Sequence, residues 1–389
     1  MIDIHISDVL TFKKCRRLWN WSSHLRGNLE PSKPYLPFFE GLGVHHAMQE
    51  MYDLKRNPVE SFRDWAIAEV FRMKEELTPD QWRATEPDII DAVARCKSIL
   101  RHYASWAKKA DEDLEVFAIE ISPEKPLPLI QSNNSSTFTQ YNDSDEPEIG
   151  YSWRLDGVVR KKSDGTYWTF EHKTCRSIEE KKSMLANDEQ ALAYLWATEK
   201  HLGVPISGVI YNLLRKKAPT VAQELASKPG QLSQNKSIDT TFEFYKSQLD
   251  EMAAEYADTA CKTGQQDMAD TEEMWTEVYK ARKEALYAQH KEILEHLYQK
   301  GNTFFERYEL RRTPAQIAQG NEDLIATALD MVESPRIYPT GGQKHCIWCN
   351  FREPCLVMNA GGAYEVLLDR NYKPRKGWKE DLYATVKED

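Results

Sequence analysis

Asp156, Glu171 and Lys173 are the residues of this 389-residue chain whose types and spacing could do chemistry. They lie in GYSWRLDGVVRKKSDGTYWTFEHKT, residues 150–174, with a single histidine between the glutamate and the lysine. Alternate side chains of an extended segment share a face. Tyr167, Thr169, Glu171 and Lys173 therefore point one way, and Trp168, Phe170 and His172 the other. Two carboxylates beside an amine form a set suited to metal-assisted hydrolysis of a phosphodiester. Carboxylate oxygens hold a hard cation such as Mg²⁺. That cation polarises the phosphate and supplies hydroxide near neutral pH, while lysine orients the nucleophile and offsets developing negative charge. A lone D…E-x-K strand also fits an ordinary solvated face, so its meaning rests on what surrounds it.

The elements that must position these residues can be read from turn and periodicity signals. Asp164-Gly165 predicts a tight type I′ turn, and the flanking runs 153–160 and 167–173 are rich in the β-branched and aromatic residues of strands. A strand over 113–120 ends at Glu120, a further carboxylate. A helix over 184–201 places Gln190 and Tyr194 on one face at i,i+4, and 205–214 (PISGVIYNLL) is a buried strand. The order is hairpin, helix, strand. Ahead of it, Ser7 reads as the N-cap of a helix to about residue 23 that carries Phe12, Cys15 and Trp19 on one face. After a proline-rich connector comes a helix over 39–56 containing His45-His46, whose side chains diverge by about 100°. Helices over 59–76 and 80–110 precede the core. Residues 122–148 are too polar to pack, and 218–236 read as a flexible connector. Helices over 240–263 and 271–300 follow, the latter with a stripe of Trp275, Tyr279, Leu286, Ile293 and Leu297 suited to packing. A strand over 304–310 and a helix over 313–331, capped by Thr313, complete the pattern. Residues beyond about 365 read as a basic tail.

Composition bounds the class. Hydrophobic content of 41% and charged content of 29% fit a globular chain of roughly two domains. No apolar run approaches the ~18 residues of a membrane span, and the first residues lack a signal-peptide layout, so a cytoplasmic protein is expected (host cytoplasm if the chain is phage-encoded). In that compartment its seven cysteines are metal ligands or free thiols rather than disulfides. The net charge of −10 does not mark a nucleic-acid binder, but a local basic face suffices for binding. Lys13-Lys14 with Arg16-Arg17, Lys161-Lys162, Arg215-Lys216-Lys217 and Arg311-Arg312 are the clusters that could supply one.

Cys346, Cys349 and Cys355 form C-x₂-C-x₅-C. Zinc and an iron–sulfur cluster are the chemical options for such a set, and either needs a fourth ligand. Cys96, Cys175 and Cys261 fall inside core elements, and Cys15 lies in the first helix.

The D…E-x-K strand resembles the core of the PD-(D/E)XK nuclease superfamily, with Asp156 as first acid and Glu171-His172-Lys173 as the E-x-K element. The whole series resembles the RecB-like iron–sulfur nucleases, which include the AddB nuclease domain and the CRISPR-associated adaptation nucleases. Gly41 to His45 is similar to their G-x-x-x-H helix, which implies His45 rather than His46 at the metal. Gln190-x₃-Tyr194 is similar to their element near the DNA strand. Their cysteine layout, one before the core and three after it, implies Cys15 as the fourth ligand of a 4Fe-4S cluster, with Zn²⁺ the alternative. The resemblance spans about residues 7–356. It implies an α/β (α+β) nuclease core with a mixed central sheet, and a cluster-clamped helical subdomain joining both termini. The expected units are 1–112, 113–217, 218–335 and 336–389. It implies Mg²⁺ or Mn²⁺ held by Asp156, Glu171 and His45, with the main-chain carbonyl of His172 and Glu120 in support, and Lys173 positioning water. The activity implied is exonuclease digestion of DNA from single-stranded ends in recombination, repair or replication. A helicase, recombinase or single-strand-binding protein would be the partner. The competing class is a non-catalytic DNA-binding or assembly factor on a nuclease scaffold, which retention of both acids and the lysine opposes.

Overall fold

The computed structural model describes residues 1–32, 36–130, 148–263, 268–333 and 336–375. The chain opens with β1 (Ile2–His5), α1 (Ile6–Lys14), α2 (Arg16–Ser22) and β2 (Leu29–Pro31). The single helix expected over 7–23 is thus two. Its N-cap is His5 rather than Ser7, and it breaks at Cys15, whose backbone is extended (φ −167°, ψ 114°). Helices α3 (Leu36–Asp53), α4 (Pro58–Glu76) and α5 (Pro79–Ala110) follow. The last two start where chemistry says they should. Asn57 and Thr78 accept bonds from Val59 N–H and Gln81 N–H, and a proline sits at the first position, where no donor is needed.

The core then runs β3 (Leu114–Ile121), β4 (Leu127–Ile130), β5 (Ile149–Ser152), β6 (Leu155–Lys161), β7 (Tyr167–Cys175), α6 (Ile178–Leu185), α7 (Glu189–Leu202) and β8 (Ile206–Arg215). Most of the polar stretch 122–148 lies outside the described residues. The helix expected over 184–201 is interrupted, because Asp188 caps α7 through Gln190 N–H. The expected connector 218–236 contains a small hairpin, β9 (Glu224–Leu225) and β10 (Lys228–Leu232). Next come α8 (Phe242–Thr263), α9 (Met268–Gln289), α10 (Lys291–Lys300), β11 (Phe305–Arg311) and α11 (Pro314–Glu333). The long helix expected over 271–300 therefore divides at His290. Helices α12 (Gln343–Ile347), α13 (Arg352–Asn359) and α14 (Tyr364–Asn371) lead to β12 (Tyr372–Pro374), so the expected tail is structured as far as residue 375.

Five strands form one mixed sheet in the order β3–β6–β7–β8–β11, parallel only between β7 and β8. The β6–β7 loop is wider than a type I′ turn. Only Gly165 adopts positive φ (74°), and Thr166 N–H donates to Asp164 Oδ1 at 2.9 Å. Trp168 and Phe170 bury one sheet face under α3, α4 and α5. The other face packs Val209, Tyr211 and Leu213 against Leu185, Ala191 and Leu195 of α6 and α7. The architecture is α/β/α around a mixed sheet. A second, three-stranded sheet, β1–β5–β4, is parallel at β1–β5. Finally β12 pairs with β2, joining the two ends of the chain.

Candidate active site

Antiparallel register pairs Gly157 with Phe170, which sets the next residues out, Asp156 and Glu171, side by side. Asp156 Oδ2 accepts His172 N–H at 2.7 Å. Lys173 Nζ donates to Glu171 Oε1 at 2.6 Å and to Gln190 Oε1 at 3.0 Å, and Gln190 Nε2 donates to Tyr194 OH at 3.0 Å. Period-2 alternation on β7 and i,i+4 spacing on α7 thus meet at the amine. Glu171 is 5% exposed, and its Oε2 is buried with no hydrogen-bond partner among the described residues. A buried carboxylate oxygen left without a partner is costly. It fits a site that receives a cation.

His45 reaches the same place from α3. Its Nδ1 is 3.3 Å from Asp156 Oδ1, whereas His46 turns away to Glu50, 3.5 Å off. The glycine of G-x-x-x-H is open: a Cβ at Gly41 would meet nothing within 4 Å. Gly43 is the close-packed one, where a Cβ would fall 2.4 Å from Trp65. Glu120, at φ 48° in a strand, holds a left-handed backbone that a glutamate rarely adopts. Its Oε2 pairs with Arg154 Nε at 3.1 Å. Burial, with the Asp156 charge adding to it, pushes Glu120 up to about 7 against Arg154 and His45.

The charges are mutually set. Burial and then the adjacent Asp156 push Glu171 up to about 7, against the pull of Lys173. Burial would also raise Asp156, but the His45 imidazole holds it below the carboxylate range, and Asp156 in turn lifts His45 against its own burial. Among these groups the unmatched Glu171 Oε2 is an atom that a divalent cation would satisfy, with Asp156 and His45 beside it.

The His172 side chain does not join this group. It lies on the opposite face of β7, where its Nδ1 accepts from Asn212 Nδ2 at 2.7 Å and its ring stacks on Tyr52 at 5.6 Å. Asn212 Nδ2 also donates to Tyr103 OH (2.9 Å), and its Oδ1 accepts from Arg307. Arg307 then reaches Asp111 (2.6 Å) and Tyr52 OH (2.8 Å). This buried network ties α3, α5, β7, β8 and β11 behind the site. The sequence carries no motif for it, only an arginine inside an otherwise sheet-forming run.

At the joined termini, Cys15 lies between α1 and α2 against the C-terminal segment. Arg17 Nη1 contacts Cys355 Sγ at 3.3 Å and donates to Asn359 Oδ1 at 2.6 Å. Burial pushes the Cys349 thiol up, and Cys15 and Cys355 push it the same way at close range. Cys346 is exposed at the rim, and Cys96, Cys175 and Cys261 are buried elsewhere.

Much of the expected basic surface is neutralised internally. Lys13 pairs with Glu189, Arg16 with Asp330, Lys161 with Glu309, Lys216 with Glu40, and Arg215 and Lys217 with Asp239. No helix among the described residues is long and apolar enough to cross a membrane.

Comparison with curated proteins finds no match. A family model does match, over residues 6–356, a span that contains the D…E-x-K strands, the helix of His45 and all four of the cysteines that meet or flank the joined termini. The chain belongs to the PD-(D/E)XK nuclease superfamily.

Proposed function

We propose that the chain is a Mg²⁺- or Mn²⁺-dependent deoxyribonuclease that digests DNA from single-stranded ends. The observation that carries the reading is the buried, unpartnered Glu171 Oε2 beside Asp156, with Lys173 bonded to the same carboxylate. A cation at this site would polarise the scissile phosphate and lower the pKa of its water. Asp156, Glu171 and His45 would hold it, with Glu120 alongside. Lys173, fixed by Gln190 and through it by Tyr194, is aimed to orient the attacking water and to meet the charge that develops on phosphate. Arg176, just past β7, and Lys181, on α6, have no acid within 4.0 Å among the described residues; they suit contacts to flanking phosphates. The open face at Gly41 leaves room for a strand beside His45.

Cys15, Cys346, Cys349 and Cys355 suit a structural 4Fe-4S cluster. A helicase, recombinase or single-strand-binding protein would supply the ends.

The test is hydrolysis of linear DNA with Mg²⁺, Mn²⁺ or EDTA. Asp156→Ala and Lys173→Ala should each lose about a hundredfold or more while unfolding as the wild type does. Metal-independent cleavage, or unchanged rates in either variant, would remove the site. Binding without any cleavage would favour a scaffold role instead.

A further inference from the structure

Away from the Asp156–Glu171 centre, another set of titratable side chains converges. His5 ends β1, Asp8 lies in the first turn of α1, and His24 sits in the turn after α2. One ligand atom from each falls within 4.8 Å of the others. Nδ1 of His24 is 3.3 Å and Nδ1 of His5 is 3.8 Å from the same oxygen, Asp8 Oδ2. For ligand bonds of about 2.0–2.1 Å, donors around a tetrahedral ion lie about 3.4 Å apart. Two of the three spacings, 3.3 and 3.8 Å, approach that value, and the third is within 4.8 Å.

The outer contact of His24 is one a metal site needs. His24 Nε2 is 3.0 Å from the Asp3 carbonyl oxygen. A carbonyl only accepts, so Nε2 carries a proton, which leaves Nδ1, beside Asp8, as the nitrogen a metal ion would take. His5 Nε2 lies 3.9 Å from Asp3 Oδ2, beyond hydrogen-bond reach, so the outer contact is made at His24. Histidines that bind metals almost always direct the second nitrogen at a carbonyl or carboxylate in this way. Asp8 is held as well. Its Oδ1 accepts from Ser23 Oγ at 2.6 Å, and its Oδ2 accepts from His5 N–H at 3.2 Å.

The His5 side chain also accepts Asp8 N–H at the start of α1, and both rings converge on one carboxylate oxygen. A proton can serve one ring. It cannot well serve both, because the rings stack at 4.6 Å and 20°, and two imidazolium cations face to face would repel. A single divalent ion satisfies both rings and the carboxylate. We propose that His5, Asp8 and His24 bind a transition-metal ion of the zinc class, structural in role and separate from the catalytic centre. Two imidazoles and one carboxylate select such an ion over Mg²⁺, which prefers oxygen. The two sites would therefore sort different metals. The ion would pin β1, α1 and the turn after α2 to one another. Because β1 is laddered to β5, and Ser152 Oγ donates to Asp3 Oδ2 at 2.9 Å, the clamp also steadies the chain just ahead of Asp156.

The experiment uses the full chain isolated without oxygen, stripped of loosely held metal, given Zn²⁺ in excess Mg²⁺ and then gel-filtered. Zinc and iron are measured together by mass spectrometry. Wild-type protein should retain one equivalent of zinc, and zinc should raise its unfolding temperature. His24→Gln, at a half-exposed position outside any helix, should bind zinc about a hundredfold or more weakly and lose the zinc-dependent thermal shift, with iron content unchanged. Asp156→Ala should keep its zinc. Equal retention by wild type and His24→Gln, or loss of zinc in Asp156→Ala instead, overturns the proposal and reduces His5, Asp8 and His24 to a helix-capping network. Neither result bears on whether the catalytic site hydrolyses DNA.

Discussion

At the residue scale, neighbours with the same chemistry are assigned opposite fates by geometry. His45 and His46 are adjacent, yet only His45 faces Asp156, while His46 pairs with Glu50. His45→Ala is expected to lower the hydrolysis rate about tenfold or more and to need more added metal for half-maximal activity, and His46→Ala to leave the rate near wild type. Equal losses would put the metal elsewhere. His172 makes a second case, because its neighbour in sequence is Glu171 but its environment is the core. Burial pulls its imidazole down to about 3, and Asn212 already donates to its Nδ1, so a proton there would set donor against donor. In the unfolded chain the same ring titrates near 6.5. The unfolded state thus binds the extra proton between about 6.5 and 3, and stability falls as pH drops through that window. Moving from pH 7.5 to pH 5 should cost about 2 kcal/mol from this group alone. Urea unfolding in EDTA at the two pH values should show His172→Gln losing less than wild type. Equal losses would mean that His172 is already charged in the native protein.

At the element scale, β7 was the most legible part of the chain, because period-2 alternation is local. Glu171 and Lys173 share a face as the pattern requires, and Trp168 and Phe170 fill the core behind them. The pairing of Gln190 with Tyr194 follows equally from helical spacing. What stayed hidden was decided by tertiary contacts. Nothing in Lys14-Cys15-Arg16 is hostile to helix. The break there lets Cys15 turn toward the C-terminal segment while Arg17 bonds Asn359 and Cys355. The division at His290 is similar, since its buried ring meets Tyr245 OH at 2.7 Å from another helix. The Arg307 network joins residues up to 255 apart in sequence and has no local signature. The Cys15 break supports a prediction of its own. Cys15→Ala should lose the visible colour and iron of anaerobically purified protein, and lower its unfolding temperature, although residue 15 lies far from Cys346, Cys349 and Cys355 in sequence. Full iron in Cys15→Ala, with loss in Cys175→Ala or Cys261→Ala, would mean a different fourth ligand.

At the scale of the whole molecule, charge and topology constrain how DNA is met. The chain carries ten more acidic than basic residues, and most of its basic clusters are spent on internal ion pairs. A body of that charge repels a polyanion except where cations remain open, as at Arg176 and Lys181 beyond β7. Long duplex tracts should therefore bind weakly, since affinity for DNA scales with the phosphates neutralised. The site itself is flanked by α3 on one side and α7 on the other, and β12 on β2 closes the chain ends into one unit. A single strand entering by its end needs only local contacts to reach Lys173, whereas a closed strand must offer a bent segment without a basic track to hold it. Linear single-stranded DNA should accordingly be degraded at least about tenfold faster than covalently closed circles of the same sequence, the gap widening as salt weakens the few phosphate contacts. Products sampled early should be short fragments released from termini, with full-length substrate persisting. Circles nicked as fast as linear strands are degraded would show that no end is needed, and would replace exonuclease by endonuclease action at the same catalytic residues.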